Sequence, residues 1–95
     1  MAAYLVVDIE VTNPAQFEEY RKLAPAAIAK FGGRFIIRGG AYEVLEGEWR
    51  PQRLTIVEFD SMEKAKAFYA SPEYGTAIKA RANAAKFKAL LVQGI

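Results

Sequence analysis

The chain has 95 residues, the size of one compact core, so two separate domains are excluded and a single domain over residues 1–95 is expected. Hydrophobic residues make up 53% and charged residues 25%, enough apolar surface to offset the entropy of ordering the chain, which excludes a disordered sequence. The 13 Lys and Arg against 11 Asp and Glu leave a net charge of +2, and because both signs are interspersed, bulk-charge binding of nucleic acid or membrane is excluded as well.

The absent residue types cut further. With His 0 and Cys 0 the chain has no imidazole base, no Cys or Ser–His nucleophile pair, and almost none of the usual ligands for zinc, iron or haem. Nor does any loop carry the closely spaced acids that calcium needs, so neither a metal site nor a cofactor is expected. The segment Met1 to Asp8 reaches a carboxylate too early for a signal-peptide core or a membrane span, and a cytoplasmic location is expected. A core this small without a disulfide favours oligomerisation.

Leu5, Val7, Ile9 and Val11 alternate with Tyr4, Val6, Asp8 and Glu10, the two-residue period of a first strand. Asn13-Pro14-Ala15-Gln16 offers an N-cap, a proline at the first helical position and a Gln placed to reach back. Phe17, Tyr20, Ala24, Ala27 or Ile28, and Phe31 then recur at helical spacing. Gly32-Gly33 ends that helix, and Pro25, lacking an amide for the Arg21 carbonyl, predicts a kink or restart near Ala24.

Arg34 to Arg38 reads as the second strand, bent by Gly39-Gly40 and resumed by Ala41 to Leu45. Turn residues from Glu46 to Pro51 would close a long hairpin onto Arg53 to Phe59, with Leu54, Ile56 and Glu58 on one face and Thr55, Val57 and Phe59 on the other. Asp60 or Ser61 caps Met62 to Ala70, with Glu63 completing a capping box. Ser71-Pro72 then restarts a second short helix through Ala82. Lys86 to Gln93 closes as the last strand.

The order βαββαβ, with right-handed crossovers and both helical layers on one side of an antiparallel sheet, is the α+β ferredoxin-like fold. The opposite sheet face stays apolar at Val6, Ile36 and Leu54 or their neighbours, so it needs a cover. A second copy packed face to face would supply one, forming a homodimeric α/β barrel.

Six stretches together resemble a known family: Asn13-Pro14 with Phe17 to Tyr20, Lys30 to Phe35, Arg38-Gly39-Gly40, Val44 to Trp49, Val57-Glu58-Phe59, and Phe68-Tyr69 with Ser71 to Tyr74. The chain is similar over essentially its whole length to the bacterial domain-of-unknown-function family 1330. That resemblance implies a dimeric α/β barrel, and since the family carries no established activity, it transfers no catalytic residue. Broader relatives of the barrel include cofactor-free monooxygenases, haem-degrading enzymes, lactone isomerases and small ligand-binding or stress-related proteins. Fold analogy selects none of these, and the haem-dependent ones fit poorly for lack of a histidine.

Several residues are candidates for a site. Arg38 beside Gly39 and Gly40 would set a guanidinium next to open backbone amides, suited to a carboxylate, phosphate or enolate, although glycines in a strand more commonly mark a bend. Trp49 and Arg50, with Arg53 just beyond, put the single indole at a hairpin tip, as an interface anchor or a pocket wall. Asp8 and Glu58 are the candidate bases if either lies between sheet and helices. Charge pairing with Arg34 and Arg38, expected on one face of the second strand, is the duller alternative. Tyr74 and Arg81 share a face of the last helix and would lean over a pocket mouth, against core packing for Tyr74 and solvent for Arg81.

Two functions follow. One is a metal- and haem-free small-molecule enzyme of isomerase or cofactor-free oxygenase type, with Arg38 holding an acidic or enolisable substrate, Asp8 or Glu58 as base, and Trp49 and Tyr74 as walls. The other is a non-catalytic dimeric module that binds a small ligand or serves a stress response. An enzyme needs a pocket-facing acid free of a saturating Arg; a binding module does not.

Overall fold

In the computed structural model, which describes Met1–Ile95, the chain forms β1 (Ala3–Val11), α1 (Pro14–Lys30), β2 (Arg34–Arg38), β3 (Leu54–Phe59), α2 (Met62–Tyr69), α3 (Pro72–Ala80) and β4 (Ala85–Gln93). All strand pairs are antiparallel and the sheet order is β2-β3-β1-β4, so the fold is ferredoxin-like. No helix is long and apolar enough to cross a membrane.

Period-two patterning separates the faces of the sheet. Leu5, Val7 and Ile9 pair with Val57, Thr55, Leu91, Ala89 and Phe87 on the face covered by helices, while Tyr4, Val6 and Asp8 pair with Glu58, Ile56, Leu54, Lys88, Leu90 and Val92 on the open face. The core lies on the covered side, centred on Phe59 and Phe68, both fully buried with ring centroids 5.2 Å apart. Gly33 lets α1 and the sheet close around it: a Cβ there would stand 2.6 Å from the Phe59 ring and 2.8 Å from Ile28.

The helix starts follow their caps. Asn13 Oδ1 accepts the Gln16 amide at 3.2 Å, but the Gln16 side chain does not close a box, donating instead to the Ala82 carbonyl at 2.5 Å. Ser61, not Asp60, caps α2, and Asp60 lies 3.4 Å from Lys64. Buried Ser71 joins the two short helices: its hydroxyl donates to the Phe68 carbonyl at 2.6 Å and accepts the Tyr74 amide at 3.1 Å.

Two expectations are corrected. α1 continues through Pro25 without the restart, because Ala24, Ala27 and Ile28, buried on both sides of it, hold the helix in the core against the roughly 3 kcal/mol that an internal proline costs. The strand does not resume at Ala41–Leu45; residues 39–53 form an irregular, mostly exposed arm, and β3 begins at Leu54. Arg38 already pairs with Thr55 near the start of β3, so a longer β2 would find no partner upstream, where Pro51 lacks an amide to donate.

Candidate functional site

A cleft of about 60 Å³ opens between the covered face of the sheet and α1. Its floor is apolar, from Val7, Ile9 and Val57, and its walls are aromatic and aliphatic, including Phe17, Phe35 and Phe87. Three arginines line it, Arg21, Arg38 and Arg53, and no acidic residue does.

Each arginine arrives by a different local device. β2 carries a bulge between Phe35 and Ile37, so that Arg34 pairs with Glu58 on the open face while Arg38 pairs with Thr55 on the covered one. Arg34 and Arg38 therefore do not share a face, as strict alternation predicted, because the extra residue Ile36 reverses the parity between them. Arg38 then lies with its guanidinium 4.2 Å from the centroid of the Phe35 ring, a cation–π contact. Arg21 interrupts the apolar stripe of α1, four residues after Phe17 and three before Ala24, and it also bonds Glu18 at 3.1 Å. Arg53 precedes β3 on the parity opposite Leu54. Gly39, at φ +69°, gives its amide to the Leu54 carbonyl at 2.8 Å and lies directly against the Arg53 side chain. Gly40 lies in the exposed arm with open space around it.

Tyr20 and Tyr74 form the polar part of the helical wall. Their hydroxyls are 2.7 Å apart, and burial raises the pKa of both phenols above the ordinary tyrosine value, so at neutral pH both keep their protons. Tyr74 is 2% exposed and packs 4.4 Å from the Phe68 ring while lining the cleft. Arg81, just past the end of α3, stacks 3.7 Å over Phe87 and 5.7 Å from Tyr20, with its buried Nε lacking a hydrogen-bond partner.

The remaining candidates stand on the other face. Asp8 Oδ1 accepts the backbone amides of Gln52 and Arg53 at 2.8 and 3.2 Å. Glu58 accepts the Tyr4 hydroxyl at 2.9 Å and pairs with Arg34, and that bond to Glu58 raises the Tyr4 pKa. The placement of either acid between sheet and helices is thus corrected: even-numbered residues of β1 and β3 point to the open face. Trp49 and Arg50 border a shallow groove of about 530 Å³ on that same face, beside Asp8 and Lys88, and Trp49 is 66% exposed. The sheet therefore divides the expected set, with Arg38 and Tyr74 lining the cleft, Gly39 and Arg81 packed against residues that line it, and Asp8, Glu58, Trp49 and Arg50 behind it. Tyr20 and Arg21 join the cleft without having been singled out, and Arg53, expected at the hairpin tip beside Trp49 and Arg50, lines the cleft instead. The readable signal was a charge inside the apolar stripe for Arg21 and strand parity for Arg53. No three acidic side chains converge as a set of metal ligands.

Solved structures of the same fold are numerous. A protein of unknown function from Rhodopseudomonas palustris is 15% identical with a TM-score of 0.77, the match covering 99% of this chain and 82% of that one. A dimeric ferredoxin-like protein of unknown function from Jannaschia sp. is 10% identical with a TM-score of 0.70, covering 99% and 100%. SnoaB, a cofactor-independent oxygenase from Streptomyces nogalater, is 16% identical with a TM-score of 0.66, covering 99% and 93%. No curated protein matches the chain. The sequence profile of Domain of unknown function (DUF1330) matches residues 2–95, and the chain belongs to that family.

Proposed function

We propose that this chain is a homodimeric binding protein whose cleft admits the acidic end, a carboxylate or an enolate, of a small and otherwise largely apolar molecule. The observation that carries this reading is the trio Arg21, Arg38 and Arg53 in an apolar cleft that no carboxylate lines. Arginines bordering apolar walls favour an anion. The uncovered apolar sheet face and the dimeric ferredoxin-like proteins of similar fold support the homodimer. Isothermal titration with salicylate and with 2-hydroxybenzyl alcohol, its uncharged counterpart, tests the reading. Salicylate is expected to bind about tenfold or more tightly, the scale of one charge-assisted contact, and equal affinities overturn the proposal.

A catalytic reading has its own support: SnoaB, a protein of similar fold, is a cofactor-independent oxygenase, and the same arginines would stabilise an enolate as it forms. Tyr20 and Tyr74, held protonated, would serve as proton donors rather than bases. Asp8 and Glu58 would act as bases only on a substrate seated on the open face, and both carboxylates already accept hydrogen bonds there. Oxygen uptake in the presence of an enolisable aromatic ketone would favour catalysis. Binding of the ketone without uptake or isomerisation would favour the binding module.

A further inference from the structure

Of the three cleft arginines, Arg38 rests on an aromatic ring and Arg21 is tied to Glu18. Arg53 has neither device. It ends the irregular arm 39–53, one residue before β3 begins and just outside the paired residues of the sheet. What holds it instead comes through the sheet.

From the open face, Asp8 Oδ1 accepts the amide of Gln52 at 2.8 Å and that of Arg53 at 3.2 Å. From β1, the Ile9 amide donates to the Arg53 carbonyl at 3.1 Å. The last peptides of the arm are therefore bonded to β1 on both sides of the Arg53 Cα. On the covered face the side chain lies across Gly39, where a Cβ would stand 3.0 Å from Arg53 Nε and 3.1 Å from its Cγ. A carboxylate accepting two backbone amides is a strong, charge-assisted restraint, and it acts on a long side chain whose rotamer freedom would otherwise weaken ligand capture.

We propose that Asp8 is a positioning residue: from the opposite face of the sheet it holds the Gln52–Arg53 backbone so that the Arg53 guanidinium stays at the cleft, lying over Gly39, and so sets the preference for an anionic over a neutral ligand. This rests on the reading of the cleft as an anion site. It gives Asp8 a role that requires no proton transfer.

The test compares Asp8→Ala, which removes the acceptor, with Asp8→Asn, which keeps an oxygen at the same place. Asp8→Ala is expected to weaken salicylate binding about tenfold and Asp8→Asn to restore most of it, with 2-hydroxybenzyl alcohol unaffected in both. An equal loss for both ligands would mean general disruption and overturn the proposal, as would unchanged salicylate affinity in Asp8→Ala. A ligand-free readout runs beside it: reaction of Arg53 with phenylglyoxal, followed by peptide mass spectrometry with the exposed Arg21 of α1 as internal reference. Release of Arg53 in Asp8→Ala should raise its rate several-fold relative to Arg21, about the change expected when a held guanidinium regains its rotamers; an unchanged ratio overturns the proposal. If salicylate fails to bind the unmodified protein, the anion reading of the cleft fails by itself and the positioning role is then decided by the phenylglyoxal rates alone; if salicylate binds Arg53→Gln as tightly as the unmodified protein, Arg53 sets no preference and the proposal is overturned.

Discussion

Tyr20 and Tyr74 show how much a single buried contact decides. Their hydroxyls satisfy one another at 2.7 Å, so Tyr20→Phe strands the Tyr74 hydroxyl in an apolar wall and should cost about 1–3 kcal/mol in urea denaturation. Removing both hydroxyls should cost less than the sum of the single changes, because the second removes the group that the first left unpaired. The pair also gives the fold an alkaline limit. Burial raises both pKa values, so the folded chain holds these protons more tightly than the unfolded one. Their contribution is then fully present below the unfolded value of about 10 and is lost as pH rises beyond it. The urea midpoint should fall above that pH, and less steeply in the double Phe variant. Gly33→Ala, whose new methyl would press on the Phe59 ring and Ile28, should cost about 1–3 kcal/mol by overpacking.

Among the elements, the joint between α2 and α3 is tighter than two adjacent caps would be. Ser71 serves the end of one helix and the start of the next through a single buried hydroxyl, whereas Ser61 caps α2 near solvent. Ser71→Ala should therefore destabilise by about 1–2 kcal/mol and Ser61→Ala by about half of that or less, read as shifts in thermal midpoint. These caps were legible in the sequence because capping is local, needing only a side-chain oxygen three residues before its partner amide. β2 was legible only in part. Its apolar run marks a strand, but a bulge depends on how two strands drift in register, and that drift is what turned Arg38 into the cleft and left Arg34 with Glu58 on the open face.

For the molecule as a whole, the open sheet face is the feature that most demands a partner. Leu90, Val92 and Ile37 are 58%, 44% and 40% exposed, side by side with Val6 and Ile56 in adjacent strands. A contiguous apolar patch of this kind is rarely left in water, and closed two-fold symmetry is the simplest way to cover it. Leu90→Glu, which sets a charge in the middle of that patch, should shift the protein to monomer in size-exclusion chromatography with light scattering. A dimer that survives the change would remove the open face as the interface. Trp49 and Arg50 border the same surface, so their truncation is expected to weaken the dimer before it affects binding in the cleft.

The sequence by itself determined the element order, the helix caps, the two-faced patterning of β1, β3 and β4, and hence the ferredoxin-like fold, since all of these rest on spacing and short-range chemistry. Arg38 and the glycine at 39 could be read as candidates because they interrupt an apolar strand, and Tyr74 because it shares a helical face with Arg81. Only the tertiary structure decided on which side of the sheet each would act. Asp8 and Glu58 face away from the cleft because their strands present even positions to the open side, and a one-residue change of register would have reversed that. Arg53 enters the cleft through a bond network spanning β1, the arm and Gly39. Two of its partners, Asp8 and Ile9, lie more than forty residues away in sequence, so strand parity gives the side of the sheet but not the contacts that hold the residue.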